Sequence, residues 1–507
     1  MNASRAWRGA AAGAAAAVLG AGAGELVAAV VAPTSSPFAV IGGALIDVAP
    51  SWAKDAAIAW FGTSDKIALL TAIGIVLLIL GAAAGICEAR RPRVGVVVFV
   101  AVGISVGGLA LTREDAGSLA LVPSVLAGAA GAIALRMLAR TRPGTGADGA
   151  GQPSRRAFLA WTIGTAAVGV VMAVAGGLGR AGAAAATTVR AALKLPRPVT
   201  PAPPIPASAS LDVAGITPVV TPNPDFYRID TALVVPSVDP STWRLRIHGM
   251  VAQEVTLTWD ELLALPLVES VTTLSCVSNE VGGDLIGNAV WLGYPIRELL
   301  QRAVPDADAD MVLSASVDGF TAGTPLEALT DGRAALLAIG MNGEPLPPEH
   351  GFPVRMVVPG LYGYVSATKW VTDLEVTRFD RATAYWTARG WSDRGPIKLE
   401  SRIDVPRQGR AVPAGDAVIA GVAWLPGTGV SGVEVQVDDG DWHGAELATA
   451  ISDDTWVQWR RPWKAESGNH RIRCRAISRD GTTQTDTVAA PAPDGASGWH
   501  TITVQVS

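Results

Sequence analysis

The chain has 507 residues, of which 49% are hydrophobic and 17% charged, and its formal net charge is −5. This length allows roughly two to four domains, and the slight negative charge gives no sign of a nucleic-acid partner. Three cysteines are too few for a disulfide framework, an iron–sulfur cluster or a four-thiolate zinc site.

Residues 1–180 are mostly apolar and predict a transmembrane bundle of about five helices. A spanning helix needs about 20 mostly apolar residues. The stretches that meet this requirement are Gly9–Val31, Ile67–Cys87, Val94–Leu111, Leu119–Leu138 and Phe158–Leu178. A signal peptide is an open alternative for the first stretch alone. Charges and a proline interrupt the intervening Phe38–Phe61, which favours an interfacial or re-entrant element.

Basic residues predict the orientation of this bundle, because cytoplasmic loops carry an excess of them. They occur before the first stretch, between the second and third, and between the fourth and fifth. They are Arg5, Arg8, Arg90, Arg91, Arg93, Arg136, Arg140, Arg142, Arg155 and Arg156. With five spans these regions share one side. We therefore expect a multi-pass protein of a bacterial cell membrane, with a cytoplasmic N-terminus and an extracytoplasmic catalytic domain.

The word SRRAFL, residues 154–159, precedes the last predicted span. It fits ordinary positive-inside charge, and it also fits a twin-arginine export signal. A folded domain that takes up its cofactor in the cytoplasm would need such a signal, and both interpretations remain open.

All the histidines lie beyond the last predicted span. They are His248, His350, His443, His470 and His500. Membrane haem b normally needs facing histidine pairs, so no haem is predicted in the bundle. The bundle is expected to act as an anchor, and a quinone site is the alternative.

The remainder of the chain predicts a linker and two soluble domains. Residues 181–210 are Pro-rich and predict an extended spacer. In residues 211–385, strand-like words such as WRLRIHG and VRMVVPG alternate irregularly with helical words such as TWDELLAL, in which Thr258 is the expected N-cap. This mixture predicts an α+β domain.

Residues 386–507 contain short alternating strands with turn signals, which predict an immunoglobulin-like β-sandwich. The word HRIRCRAISRDG places Cys474 on the apolar face of one strand. We expect a packed core thiol there, and a solvated face at Arg471, Arg473 and Arg475.

Cys276 has a different setting, in TLSCVSNEVGG between a strand-like run and a glycine-rich loop. From the residues alone three roles remain open for it. It is a buried small hydrophobic residue, a nucleophile with His350 as its base, or a soft thiolate ligand of a metal.

Several sequence motifs from residue 226 onward occur in the order found in one enzyme family. They are FYRID, TLSC, LIGNAVWLGYPIRELL, GMNGEPLPPEHGFPVRMVVPG and SATKW. On these words the chain resembles the sulfite oxidase family of molybdenum enzymes. With its five predicted spans it is similar to a membrane-bound, actinobacterial-type branch of that family.

The resemblance implies a sulfite-oxidase-type molybdopterin domain, in which molybdenum is held by a pyranopterin and by the thiolate of Cys276, the catalytic metal ligand. It implies that the pterin is bound by Phe226, Tyr227, Arg228, Asp230, Asp318, His350, Arg355, Ser366 and Lys369. Arg355 and Lys369 suit its phosphate, and Asp318 its amino-pyrimidine edge. Gly282, Gly283 and Gly287 are expected to let the backbone approach the cofactor.

Two departures from the family pattern concern the substrate. Sulfite oxidases carry AGNRR after the ligand cysteine, whereas this chain places Glu280 there. Phe320 replaces the tyrosine of the substrate pocket. Because sulfite is an anion that needs compensating charge, these departures weaken the expectation that it is the substrate.

We therefore expect a membrane-anchored oxidoreductase that performs two-electron oxygen-atom transfer at a Mo–oxo centre. Reduction of sulfoxides or N-oxides is the enzymatic alternative, and a non-catalytic sensor or adhesion protein that retains the fold is the alternative of another class. The expected partners are a small-molecule substrate, membrane lipid and a separate electron carrier, either cytochrome c or a quinone. A homodimer is a further expectation, whereas haem, an iron–sulfur cluster and nucleic acid are not expected.

Overall fold

A computed structural model describes residues 3–32, 35–50, 53, 60–61, 65–113, 116–140, 155–182 and 190–507. The chain forms two compact units. The first contains Met1–Val189 and Thr231–Ser237, and the second contains Arg190–Asp230 and Val238–Ser507.

The first unit is helical. Its helices are α1 (Ala3–Val31), α2 (Pro37–Val48), α3 (Asp65–Arg90), α4 (Val94–Ala110), α5 (Val122–Arg140) and α6 (Arg155–Gly182). Helix α1 packs against α3, α5 and α6. Small residues allow this close approach, since a Cβ added at Gly13 of α1 would lie 2.0 Å from the carbonyl oxygen of Gly81 in α3.

Four of these helices contain segments that are long and apolar enough to cross a membrane: Arg5–Val31, Lys66–Arg90, Val122–Arg140 and Arg156–Gly177. The third predicted span corresponds to α4, which has only 17 residues. The five predicted spans are thus matched by four long helices and one shorter helix. Helix α2 forms at the start of Phe38–Phe61, of which residues 51–52 and 54–59 lie outside the described residues, as do Arg142 and Ser154.

The first part of the second unit is a mixture of strands and short helices, as the sequence predicts. One sheet has the order β2-β1-β10-β5-β6, and the other the order β3-β4-β7-β8 with β9 beside β7. The strands are β1 (Arg244–Gly249), β2 (Val255–Thr258), β3 (Val268–Ser275), β4 (Ile286–Pro295), β5 (Met311–Ser316), β6 (Thr321–Pro325), β7 (Leu336–Met341), β8 (Glu344–Pro345), β9 (Arg355–Val357) and β10 (Val371–Thr377).

Four α-helices accompany these two sheets: α7 (Trp259–Ala264), α8 (Ile296–Ala303), α9 (Leu326–Thr330) and α10 (Gly363–Ser366). The predicted N-cap is confirmed, because the Thr258 side chain accepts the N–H of Glu261 while the Glu261 carboxylate accepts the N–H of Thr258. This reciprocal pair satisfies two amides at the start of α7.

The second part of the unit consists of two sheets that share one hydrophobic core. Their orders are β11-β13-β17-β16 and β12-β19-β18-β14-β15. The strands are β11 (Glu400–Val405), β12 (Ala411–Val412), β13 (Gly415–Trp424), β14 (Val430–Val437), β15 (His443–Gly444), β16 (Glu446–Leu447), β17 (Val457–Ala465), β18 (Gly468–Ser478) and β19 (His500–Val506). Ile419 and Val457 of the first sheet pack with Val435 and Ile472 of the second. The immunoglobulin-like topology stays a prediction.

Cys474 lies in this core and is fully buried, as predicted. The three arginines that alternate with it on β18 form ion pairs with carboxylates: Arg471 and Arg473 with Asp439, and Arg475 with Glu434. Their alternation with buried residues follows from the period of a strand.

Residues 190–210, predicted as part of a spacer, belong to the compact second unit. The amide of Val199 donates to the carbonyl of Leu267 at 2.8 Å, and the amide of Glu269 donates to the carbonyl of Thr200 at 2.9 Å. Prolines have no N–H to donate, so non-proline residues of the segment donate or accept the backbone hydrogen bonds that hold it beside β3.

Candidate functional site

Cys276 follows directly after β3, in a tight turn. Its amide donates to the carbonyl of Leu285 at 2.9 Å, and its own carbonyl accepts the amide of Asn279 at 3.1 Å. The residue is only 8% exposed. Burial raises the pKa of its thiol, while hydrogen bonds from Ser278 and the charge of Lys369 oppose that rise. The thiol is therefore shielded from water but lies within the field of a cation.

Asn279, three residues further on, is buried and only partly satisfied. Its Oδ1 accepts the amide of Leu285 at 2.9 Å. Its Nδ2 has no hydrogen-bond partner among the described residues. A buried donor without a partner is costly, so this amide is available to a bound group.

Aromatic rings form one wall of the site. Phe226 stacks on Tyr227 with ring centroids 5.2 Å apart, and its ring is edge-on to Trp291 at 5.8 Å and to His350 at 5.5 Å. Burial and the proximity of Cys276 raise the pKa of the Tyr227 phenol, so this side chain remains a neutral hydroxyl. Phe226 thus contacts two other predicted site residues, Tyr227 and His350.

His350 has one ring nitrogen in use and one without a partner. Its Nε2 lies 3.2 Å from the carbonyl oxygen of Asn223. Its Nδ1 is buried and has no partner among the described residues. Burial, together with the positive charges of Lys369 and Arg355, lowers the pKa of His350 to about 3. The ring is neutral at physiological pH and offers its free nitrogen to a ligand.

Arg355 is a buried cation, 4% exposed. Its guanidinium donates to the backbone carbonyls of Met356 and His350, both at 3.2 Å, and lies 5.1 Å from the ring centroid of Trp291. Burial lowers its pKa to about 10. No described carboxylate forms a salt bridge with it. An uncompensated buried charge is expensive, so the position favours an anionic ligand.

Lys369, Asp230 and Arg228 form a second charged group. Lys369 Nζ lies 2.8 Å from Asp230 Oδ2 and also donates to the carbonyl of Glu349 at 2.9 Å. Arg228 Nε lies 2.9 Å from the same Asp230 oxygen. Burial lowers the pKa of Lys369 to about 8, although Asp230 acts in the opposite direction.

Asp318 and Ser366 make hydrogen bonds within their own segments. Ser366 donates its hydroxyl to the carbonyl of Tyr362 at 2.9 Å, at the end of α10. Asp318 lies in the turn between β5 and β6, where it accepts the Ser316 hydroxyl at 2.5 Å. The preceding amide, of Val317, donates to the carbonyl of Trp370, the neighbour of Lys369, at 3.1 Å.

The glycines after Cys276 face protein side chains. A Cβ at Gly287 would lie 2.6 Å from the ring of Phe226, and one at Gly283 would lie 2.6 Å from Asn279 Oδ1. Gly282 has φ +81°, and a Cβ there would lie 2.2 Å from the ring of His500. Each of these glycines therefore makes room for a neighbouring side chain, and the approach of a cofactor to their backbone stays a prediction.

Side chains of the sandwich contact the Cys276 loop and hold it in place. Arg402 of β11 donates to the carbonyl of Gly283 at 2.7 Å and pairs with Asp404, also at 2.7 Å. The ring of His500 accepts the amide of Ile403 at 2.9 Å and packs on Gly282. The loop that carries the thiol is thus fixed by side chains more than 100 positions later in the chain.

Trp291, Asn279 and the carbonyl of Asn223 also belong to the site but are not predicted as site residues. Asn279 lies in the polar run after Cys276, which is a usable signal. Trp291 lies in an apolar strand-like word, where nothing in the sequence reveals that an arginine packs on its ring. The described residues contain no cluster of three or more His, Cys, Asp or Glu side chains that could hold a metal.

Comparisons with known proteins match the part of the chain that contains this site. Residues 232–386 match a family model described as an oxidoreductase molybdopterin binding domain, and this range includes Cys276, His350, Arg355 and Lys369. The chain is 31% identical over 341 residues to mitochondrial sulfite oxidase of Rattus norvegicus, which covers 57% of this chain and 62% of that protein. The chain thus spans less than two thirds of this relative.

Two further matches extend the comparison. The chain is 33% identical over 157 residues to the uncharacterized oxidoreductase YuiH of Bacillus subtilis, which covers 31% of this chain and 76% of that protein. The crystal structure of the sulfane dehydrogenase SoxCD from Paracoccus pantotrophus aligns with a TM-score of 0.51 at 22% identity, over 59% of this chain and 83% of that chain. At 22% identity, this similarity shows a shared fold alone.

Proposed function

Because the chain belongs to the sulfite oxidase family of molybdopterin oxidoreductases, we propose that it is a membrane-anchored enzyme that catalyses two-electron oxygen-atom transfer. The observation that carries the proposal is the surplus of buried positive charge beside Cys276. Arg355 and Lys369 are buried cations, whereas Arg228 is partly exposed, and Asp230 is the carboxylate that pairs with Arg228 and Lys369. Such a surplus needs an anion.

The residues fit molybdopterin. The cations Arg355 and Lys369 suit its phosphate. His350 Nδ1 and Asn279 Nδ2, which lack partners among the described residues, suit the polar edges of the pterin. Asp318 is proposed to accept hydrogen bonds from its amino-pyrimidine, with Phe226, Tyr227, Arg228, Asp230 and Ser366 completing the binding set. When bound, the cofactor supplies a redox-active metal that exchanges an oxygen atom with the substrate.

Cys276 is the proposed thiolate ligand of the metal. Because burial raises the pKa of the thiol, the unliganded side chain is protonated, and metal binding must displace that proton. The turn that holds the backbone on both sides of the residue fixes the direction of the sulfur. The aromatic wall of Phe226, Tyr227 and Trp291 keeps water away from this side of the site.

Elemental analysis tests the proposal directly. Full-length protein, purified after expression with molybdate, should contain molybdenum together with pterin. If neither is present, the alternative of a non-catalytic sensor or adhesion protein replaces the enzyme. If both are present, dye-linked assays with sulfite, and with reduced viologen plus sulfoxides or N-oxides, identify the direction of the reaction.

A sulfoxide or N-oxide reductase is the second candidate, and two observations favour it. The loop after Cys276 presents the exposed carboxylate of Glu280, and Phe320 packs on Tyr385 with centroids 5.8 Å apart. Neither residue attracts an anion. Loss of one charge-assisted contact weakens binding about ten- to hundredfold. A micromolar KM for sulfite at moderate ionic strength would exclude this candidate.

The four long apolar helices support insertion into a bacterial membrane, and α4 lies at the lower limit of spanning length. With α4 as a fifth span, the second unit faces the extracytoplasmic side. Changing Arg155 and Arg156 to lysine preserves the positive charge but removes a twin-arginine signal. Protease accessibility in spheroplasts then measures export. A double-lysine variant that still exports molybdenum-loaded protein would limit the two arginines to an orientation role.

A further inference from the structure

The helical unit contains a cavity of about 100 Å³. Its walls come from α1 to α5 and are almost entirely apolar, with Phe38 of α2 and Phe99 of α4 contributing rings. An engineered apolar cavity of about 150 Å³ stays dry and takes up benzene. This cavity is smaller, but its lining is similarly apolar, so it favours an apolar ring over water.

Among the described residues, one polar side chain lines this cavity. Ser124 of α5 is 1% exposed, and its hydroxyl has no hydrogen-bond partner in the part of the chain that the structure describes. Another buried helix hydroxyl, on Thr162 of α6, donates to the carbonyl of Phe158 at 2.8 Å within its own helix. Ser124 thus retains an unused donor beside the cavity, where a carbonyl oxygen would accept it.

The cavity reaches the outer surface of the helical unit. Leu80 of α3 and both Val98 and Val102 of α4 line it, and their exposed fractions are 54%, 39% and 43%. Exposed apolar side chains on apolar helices are the surface that faces lipid. A ligand could therefore place a ring inside and leave an apolar tail between α3 and α4.

A buried acid adjoins this region. Glu25 of α1 is 5% exposed, and its Oε1 accepts the amide of the cavity residue Phe38 at 3.4 Å. Ionisable groups buried in membrane helices are costly and commonly mark functional positions. A carbonyl-bearing ring that exchanges protons as well as electrons is the ligand class that uses such a neighbour.

We propose that the helical unit binds the ring of an isoprenoid quinone in this cavity, with the Ser124 hydroxyl donating to a quinone carbonyl. The choice of a quinone over another apolar carbonyl compound rests on the proposed function, because a quinone is a lipid-soluble electron carrier that can serve a membrane-anchored oxidoreductase. The bundle is then a binding module for the electron partner as well as an anchor.

The test is equilibrium binding of decylubiquinone to full-length protein in lipid nanodiscs. Ser124→Ala should weaken binding about three- to tenfold, the effect of one neutral hydrogen bond. Ala21→Phe, which fills the cavity from α1, should abolish it. Thr162→Ala and Ala101→Phe are the matched controls, since neither residue lines the cavity, and both should bind as the wild type does.

Decylbenzene, which has the same tail and no carbonyl, distinguishes a quinone site from a site for any acyl chain. Equal binding of decylbenzene and decylubiquinone would overturn the proposal, as would unchanged quinone binding in both cavity variants. The molybdenum content and dye-linked turnover of the same preparations are measured separately. Turnover without quinone binding defeats this inference alone, whereas quinone binding without molybdenum defeats the proposed function and leaves the quinone site in place.

Discussion

The two buried cysteines of the second unit occupy contrasting surroundings. Cys474 lies in the sandwich core among aliphatic side chains, and its sulfur accepts the Ser401 hydroxyl at 3.3 Å. Cys276 is nearly as buried but lies near Lys369 and the unpartnered amide of Asn279. Burial alone therefore does not distinguish a packing thiol from a proposed ligand thiol, whereas the charge around it does.

The sandwich also contains buried polar atoms that have no partner among the described residues. Such atoms alone therefore do not identify a ligand site. Glu400 of β11 is buried with one carboxyl oxygen unpartnered, and it pairs across the strands with Trp424, whose indole N–H is also unpartnered among the described residues. Unused polar atoms are thus present in both regions. The surplus of buried cations at Arg355 and Lys369 is what sets the Cys276 region apart.

The largest expected effect comes from Cys276→Ala. Activity should be lost, whereas the pterin should be retained because its own contacts remain. Turnover and pterin fluorescence of the purified variant measure the two outcomes. If the variant retained full turnover with any substrate of the wild type, Cys276 would not be the metal ligand. Its proposed difference in role from Cys474 would then be wrong.

A smaller effect is expected for Arg355→Met. The variant loses the buried cation proposed for the phosphate, so cofactor retention should fall about ten- to hundredfold. Retention after dialysis, read as pterin per chain, measures this, and a thermal melt checks that the variant is folded. Arg475→Met, which removes a cation from the sandwich, is the control and should retain cofactor normally. Equal losses in the two variants would contradict the assignment.

The third prediction concerns Glu400→Gln. Burial raises the pKa of Glu400 from its ordinary value of 4.5 to about 8. Between these values the carboxyl is ionised in the unfolded chain and protonated in the fold, so the free energy of unfolding falls as pH rises through this window. Glutamine does not titrate. The stability of the variant relative to wild type should therefore increase by about 1 kcal/mol per pH unit from pH 4.5 to 8.

Urea unfolding of both proteins at pH 5 and pH 7.5 measures this difference. Turnover should be unaffected at either pH, since Glu400 is not among the proposed cofactor ligands. Parallel pH profiles for the two proteins would mean that the carboxyl has a partner in solution and is ionised in the fold.

The smallest effect is expected for Cys474→Ala. Loss of a small buried group should cost about 1–2 kcal/mol of unfolding free energy, while turnover and molybdenum content stay unchanged. Chemical denaturation and metal analysis of one preparation test both statements. Loss of molybdenum from this variant would show that the sandwich core and the site are coupled.

The sequence predicts the elements of the second unit well, because local patterns determine them. Thr258 and Glu261 form their cap through contacts three residues apart, and Cys474 follows the period of its strand. The likeness to a family also indicates Cys276 and Lys369, because it depends on residue type and order, both of which the sequence contains.

Other features depend on contacts between distant positions and could not be predicted. Nothing near Gly282 indicates that His500 fills the space beside it, so the sequence around this glycine suggests room for a cofactor instead. The Pro-rich residues before 210 have the composition of a spacer. Two backbone hydrogen bonds, made by Val199 and Thr200, nevertheless join them to the residues at the start of β3.

The contacts of Arg402 and His500 with the Cys276 loop have a consequence for protein engineering. The loop and its clamp are encoded far apart, so the two soluble parts cannot be exchanged between homologues as independent cassettes. A chimaera that joins residues 211–385 to a foreign sandwich would carry the proposed metal ligand on an unsupported loop. Such a chimaera should regain function only when an arginine and a histidine are grafted at the positions of Arg402 and His500.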